Sequence, residues 1–593
     1  MTLFKLKSRL FLASWAIGVV LLFSDYVRPF QASLSDAQFW LGILFCMVPT
    51  FFLLLDDTTS AKWKVVILLM WGTLSYLPKI LRSPNIFGGD EVKHFQTAKL
   101  IYENGNLDIQ QLLTVSEIPS YYPGLELITV SSRLVTGLPL SSIAILLIGF
   151  IHSLLPVLVF LILKNVSSNR IAAIGAFIYT GNSHYFFFDS MFSYEALGIF
   201  FVLYLLFLIS RKTFMPNNLR SFSCLSLIAL SVLVFTHHLS SFMFLLFVFV
   251  LVVIQYRKRI TSIDESLHLH FAMLAAILIF SWMMFVASIA FDFYRGILAI
   301  RLEHIVKSAL FTEQRVLFRE SSLPTYEIFI DTYLYIPLTL LFSWLGVYVI
   351  RKEESARNAF IRSLIVFGPI LYSLSLFLLP TYSQEIAYRM WPFLFVGVSL
   401  AVAHGLHNMI KRRSYLLRTF AIVAAILIVV AGISLDDMLF GRFNGSTTLV
   451  SGPDITSDVI CASDWFEKTN GRYNTVLGDR TVQLVFGGYG VQNVGYNAYK
   501  GWRVFFPKTI DSTVKDALYV YNIQFVIVNE LISGHLAKYR YYFSSAELEM
   551  KDHPGYGNTQ PLPKECLDKF DISTCFDKVF SDGRIDIYRV LLR

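Results

Sequence analysis

Apolar runs long enough to cross a lipid bilayer recur from the N-terminus to residue 435, and a water-soluble core cannot absorb that many. A span needs about 17 to 25 mostly apolar residues. Candidate runs lie near 9–24, 37–55, 63–81, 139–163, 171–188, 195–210, 220–236, 239–256, 269–290, 333–350, 360–379, 391–410 and 418–435. The fold class that follows is a polytopic α-helical membrane protein of about 13 transmembrane helices. Composition agrees: 55% of the residues are hydrophobic and 16% are charged, where soluble chains carry about a quarter charged.

The formal charge of +8 would suggest a nucleic-acid partner in a soluble chain. Here the basic residues sit in short runs between apolar segments, as membrane topology requires, so nucleic acid is excluded. Alternating the spans from a cytoplasmic N-terminus puts Lys62/Lys64, Lys164/Arg170, Arg211/Lys212/Arg220, Arg257/Lys258/Arg259, Arg351/Lys352/Arg357/Arg362 and Lys411/Arg412/Arg413/Arg418 all on the cytoplasmic side. One missed span would scatter the later clusters. A multi-pass plasma-membrane protein with an extracytoplasmic C-terminus is expected. Lys5, Lys7 and Arg9 before the first apolar run read as an uncleaved signal anchor, because no small-x-small motif follows.

The expected organisation is a transmembrane domain over 1–435, with outer loops 82–138 and 291–332, and an extracytoplasmic soluble domain over 436–593. In that tail, short apolar strands at 475–477, 491–494 and 525–528 alternate with helical stretches near 462–468 and 514–522, which predicts a small C-terminal α/β domain. Ser581-Asp582-Gly583 between 578–580 and 585–590 predicts a hairpin. Cys566 and Cys575 are positioned for a disulfide if that side is oxidising.

Ionisable residues near the membrane are costly unless they face water or a cavity, so outer-face clusters mark candidate sites. Gly88-Gly89-Asp90-Glu91 follows the third span. A carboxylate there suits a general base acting on a hydroxyl, or a ligand for a divalent cation. Equally, Asp90 fits as the cap of a helix beginning near Val92. His184, Asp189 and Glu195 form a second group, and His237-His238 a third; a structural, hydrogen-bonded role competes with function for each, and no HExxH spacing is present. Arg295, Arg301, His304, Arg315 and Arg319 fill the outer loop, and Glu385 and Arg389 precede the twelfth span. Arginine's planar fork suits phosphate oxygens, although Glu385 four residues earlier is an alternative partner for Arg389. Tyr121, Tyr122, Tyr382 and Tyr388 fit either interfacial-belt aromatics or sugar platforms.

With Asp90-Glu91, the surface helix 92–102 after it and Tyr122-Pro123-Gly124, the chain resembles the GT-C superfamily of integral membrane glycosyltransferases. The resemblance spans residues 1–435 as architecture and extends to the presence of a soluble outer domain. It departs in two places: two extra spans precede the acidic loop, and the tail lacks the WWDYG-type motif of oligosaccharyltransferase catalytic subunits. The resemblance implies transfer of a single sugar or short glycan from a polyprenyl-phosphate-linked donor to a glycan, lipid or protein acceptor on the extracytoplasmic face. It implies Asp90 as the base, assisted by Glu91. Asp189, Glu195, His237 and His238 would support it or hold a divalent metal ion, Mg or Mn, and Arg389, with Arg295 and Arg301, would bind the donor phosphate. Membrane lipids would surround the spans. A lipid-linked glycan polymerase or ligase is the rival enzyme, favoured by the arginine-rich loop. A lipid or glycan transporter is the other rival, and it predicts interrupted helices and internal repeats.

Overall fold

The computed structural model describes residues 2–27, 32–82, 89–108, 118–186, 188–214, 219–257, 263–289, 291–292, 334–353, 358–378, 384–434, 447–448, 455, 457–495, 499–537, 541–544, 547 and 561–591. Among the described residues, every apolar run singled out from the sequence except 171–188 is helical over nearly its whole length. Among the described residues six helices are long and apolar enough to cross a bilayer: Ala37–Leu55, Leu140–Val166, Tyr194–Arg211, His238–Arg257, Ala387–Ile410 and Tyr415–Ile433. Shorter apolar helices at Leu10–Ser24, Ser223–Thr236, Leu269–Phe285, Ile336–Arg351 and Ala359–Ser375 accompany them. The chain is a polytopic α-helical membrane protein with a small C-terminal α/β domain.

One run departs from a simple span. Residues 171–188 are expected to form one span, yet the helix is Asn169–Tyr179, 11 residues capped by Ser168, whose side chain accepts from Ile171 N, and it stops at the polar stretch Thr180-Gly181-Asn182-Ser183-His184. At about 1.5 Å per residue it reaches roughly half of a ~30 Å hydrocarbon core. Every residue from Ile171 to Tyr179 is buried, so protein surrounds it. A short helix, Ser183–Phe186, and a 3-10 turn, Phe188–Ser190, complete the passage to the helix Tyr194–Phe214. Irregular backbone of this kind is tolerated in a membrane protein where it is enclosed by other helices.

Residues group into two compact units: Met1–Pro78, Asp108–Ser132 and Leu146–Asp437 form the first, and Lys79–Leu107, Arg133–Ile145 and Met438–Arg593 the second. The helix Gly89–Asn104, which carries the acidic pair, therefore belongs with the C-terminal domain.

That domain is built on a four-stranded sheet of order β2-β3-β6-β5, with β2 (Val476–Leu477), β3 (Phe525–Asn529), β5 (Phe576–Ser581) and β6 (Ile585–Val590). β2 runs parallel to β3, while β6 is antiparallel to both β3 and β5. A separate parallel pair joins β1 (Thr447–Thr448) to β4 (Leu536–Ala537). The expected hairpin forms: Asp582 Oδ1 accepts from Arg584 N at 2.9 Å and Ile585 N at 2.7 Å, and Gly583 takes φ 87°, a left-handed conformation that glycine adopts without steric cost. Helices Ser457–Asn470 and Ser512–Val520 match the expected helical stretches. The strand expected at 491–494 reduces to one bridge, Thr475 to Asn493, because Val491 sits at φ 52°, outside the extended region. Trp502, Phe505, Phe543, Phe570 and Tyr588 lead the core. Cys566 and Cys575 are free thiols, Cys566 Sγ donating to Phe506 O at 3.2 Å.

Candidate active site

The acidic pair opens the helix Gly89–Asn104 from inside its first turn. The helix starts earlier than expected, so Asp90 is a first-turn residue, where negative charge complements the positive end of the helix dipole. The two neighbours have different surroundings. Glu91 is 1% exposed and ion-paired with Lys79. Asp90 is 65% exposed, with Lys93 Nζ 4.0 Å from its Oδ1. Burial and pairing occupy Glu91; Asp90 is presented to whatever lies outside the helix.

In the first unit, the passage after Tyr179 carries a second polar group. Asn182 Oδ1 accepts from His184 N at 3.2 Å, fixing the start of the short helix. Asp189 is fully buried, and neither carboxyl oxygen has a hydrogen-bond partner among the described residues. Burial, with the nearby Glu195 charge adding, holds the Asp189 carboxyl well above the ordinary carboxylate range. Glu195 is buried at the start of the next helix.

His237 and His238 are buried side by side, ring centroids 4.7 Å apart, where the helix Leu219–Thr236 gives way to His238–Arg257. His237 Nδ1 accepts from Ser240 N at 3.3 Å and lies 2.7 Å from Ser240 Oγ. Tyr194 stands edge-on to His237 at 4.5 Å, and Tyr122 edge-on to His238 at 5.1 Å. Arg389, half-buried on the helix Gln384–Ile410, acts electrostatically on both His184 and His238. Tyr388 lies 6.4 Å from the His184 ring.

The first unit thus gathers Asp189 with Glu195, and His237 with His238, and Arg389 acts on His184 and His238. Asp90 and Glu91 belong to the second unit. Arg295, Arg301, His304, Arg315, Arg319 and Tyr382 lie outside the described residues, as does the Glu385 side chain. Among the described residues no three His, Cys, Asp or Glu side chains converge so as to hold a metal ion.

Several residues of this region were not singled out from the sequence. Lys79 is the partner of Glu91. Ser75 Oγ lies 2.9 Å from His152 Nε2 and donates to Tyr185 OH at 3.2 Å, and the His152 and Tyr185 rings stack at 4.1 Å. Trp71 Nε1 donates to Thr180 Oγ1 at 2.9 Å. These contacts anchor the irregular passage that carries Asp189. A lone histidine in the apolar run 139–163 was the available signal for His152.

No protein-family model and no curated protein matches the sequence. Solved structures do. The oligosaccharyltransferase of Archaeoglobus fulgidus in its apo form superposes with a TM-score of 0.52 over 82% of this chain and 71% of that one, at 11% identity. The same archaeal enzyme, AglB, in complex with an inhibitory peptide and a dolichol-phosphate, gives 0.52 over 81% and 70%, at 12% identity. The mycobacterial arabinofuranosyltransferase AftD gives 0.51 over 90% of this chain but 42% of its own length, at 12% identity. At such identities the likeness is one of fold.

Proposed function

From the GT-C fold that this chain shares with those structures, we propose that it is a membrane glycosyltransferase. It would move a sugar from a polyprenyl-phosphate-linked donor to a glycan, lipid or protein acceptor on the extracytoplasmic face. The observation that carries the reading is the unequal state of the acidic pair: Glu91 is buried against Lys79, while Asp90 is 65% exposed. The dolichol-phosphate held by AglB and the arabinofuranosyl transfer for which AftD is named support a lipid-phosphate sugar donor here.

In this reaction Asp90 takes the proton of an acceptor hydroxyl as that oxygen bonds to the anomeric carbon. The bond from that carbon to the phosphate oxygen breaks, and the lipid phosphate leaves with the electron pair. Arginine matches the leaving charge with a planar pair of donors, the role proposed for Arg389, with Arg295 and Arg301 as further candidates. Asp189, Glu195, His237 and His238 support the donor side. A Mg or Mn ion at Asp189 and Glu195 would require additional ligands from substrate or from beyond the described residues.

The test is transfer from radiolabelled polyprenyl-phosphate sugars in membranes carrying the native chain or Asp90→Asn at matched expression. Loss of a general base should lower transfer by about 10³-fold. If no donor yields transfer with the native chain, or the variant keeps full activity, this reading is wrong. The helix interrupted at Tyr179 is also what a transporter uses to expose backbone at mid-membrane depth. Movement of a lipid-linked substrate across proteoliposomes without sugar transfer would favour that alternative.

A further inference from the structure

Resting on that reading for what Asp90 does, we propose that the C-terminal domain is the device that positions Asp90. Gly488, Glu467 and Arg472 grip the helix Gly89–Asn104 through Val92, Lys99 and Glu103, and act as positioning residues. All of these side chains belong to the second unit.

The grip runs along one stripe of the helix. Val92, Phe95, Lys99 and Glu103 are spaced three, four and four residues apart, which stacks them on a single face. At its start, the backbone of Gly488 presses on Val92: a Cβ built on Gly488 would lie 1.9 Å from Val92 Cγ1. One turn on, the Phe95 and Tyr489 rings meet at 4.9 Å. Lys99 Nζ donates to Tyr489 O at 2.6 Å and to Glu467 Oε2 at 2.7 Å. Arg472 closes the stripe by pairing with Glu467 Oε1 at 2.5 Å and with Glu103 Oε2 at 2.7 Å. The helix is polar by composition, yet Glu91, His94, Gln96 and Thr97 are also buried on it.

The gripping side is itself strained. Tyr473 and Val491 both adopt left-handed backbone, φ 64° and 52°, and Tyr473 N donates to Val491 O at 3.1 Å. Such conformations cost about 1–3 kcal/mol each and persist where the surroundings over-determine them. Gln492 supplies that determination: its Oε1 accepts from Asn474 N at 2.9 Å, and its Nε2 donates to Gly471 O at 2.8 Å and Gly490 O at 2.6 Å. The strained pair stands next to Arg472 and Tyr489, the points that hold Glu103 and Lys99. Asp90, two residues before Val92, therefore moves with the C-terminal domain.

The experiment uses the full chain and a size exchange. Gly488→Ala forces Val92 away, and Val92→Ala/Gly488→Ala removes the obstructing methyls, leaving a Cβ-to-Cβ approach of 3.3 Å. Lys99→Met weakens the grip without a clash. Gly488→Ala and Lys99→Met should raise amide exchange across 92–104 about tenfold, with the exchange double variant returning near the native rate. In the transfer assay both single variants should lower kcat by about tenfold or more with KM for the donor nearly unchanged, and the double should recover, since a misplacement of about 1 Å can cost up to about 10²-fold. Native exchange rates in Gly488→Ala and Lys99→Met would overturn the grip, whatever the transfer assay reads. A loosened helix with undiminished kcat would overturn the positioning role. If the native chain transfers no sugar at all, the glycosyltransferase reading fails alone, and the exchange measurement still decides the grip.

Discussion

Lys79 and Glu91 are 10% and 1% exposed, so removing the lysine alone would leave a carboxylate buried without its cation. Lys79→Met should lower stability by about 3 kcal/mol, whereas Lys79→Met/Glu91→Leu should recover most of the loss, measured by thermal unfolding in detergent. Two other carboxyls of the second unit set its response to pH. Burial pushes Asp479 up to about 6 although Val482 N and Asn529 Nδ2 donate to it. Burial also pushes Glu547 up to about 7 against the backbone donors of residues 542–544. Both folded-state values lie above the ordinary 3.8 and 4.5, so both groups favour the fold when protonated. Their contribution is complete below those ordinary values and is lost as pH rises through about 6 and then about 7. The C-terminal domain should therefore unfold more readily at pH 8 than at pH 5, and Asp479→Asn should flatten the lower part of that dependence. None of this was legible in the sequence. Asp479 and Glu547 carry no local sign of burial; Asp479 meets Asn529, 50 residues away, and the donors of Glu547 are the backbone of a turn three to five residues before it. The outward position of Asp90 and the inward one of Glu91 follow from where the helix begins, a matter of one or two residues that composition does not resolve.

Elements whose signals are local read well from the sequence. The apolar runs found their helices because length and composition suffice for a membrane span, and Ser581-Asp582-Gly583 found its hairpin because the turn chemistry is contained in three residues. The passage after Tyr179 did not, since the polar break Thr180-Gly181-Asn182-Ser183-His184 is short and the apolar residues on both sides of it read as a single span. Tertiary packing closes on the same point. A Cβ on Gly432 would lie 2.1 Å from Gly181 O, and one on Gly181 would meet Ile428 O at 3.0 Å, so two backbones touch just beyond the end of the helix. Gly432→Val should accordingly destabilise the first unit by about 2 kcal/mol or more, a lowered midpoint in thermal unfolding. If the passage carrying Asp189 serves the donor side, the same variant should lose transfer at temperatures where it remains folded.

At the scale of the whole chain, the recurring apolar runs anticipated a polytopic membrane protein with a small C-terminal α/β domain. They did not anticipate that the acidic helix associates with that domain, because Lys99 and Glu467, or Val92 and Gly488, are far apart in sequence and carry no pattern that pairs them. A different consequence follows from the short buried helix Asn169–Tyr179. Its neighbours include Phe51 and Trp71, made before it, and Ser399 O and Ala403, made long after it, while the Gly432 backbone meets Gly181 just beyond its end. A helix of that length lacks the apolar reach to partition into lipid unaided as it leaves the ribosome. Its packing is therefore complete only once helices 384–410 and 415–434 are in place, so a chain ending before residue 384 would lack part of the enclosure this helix requires.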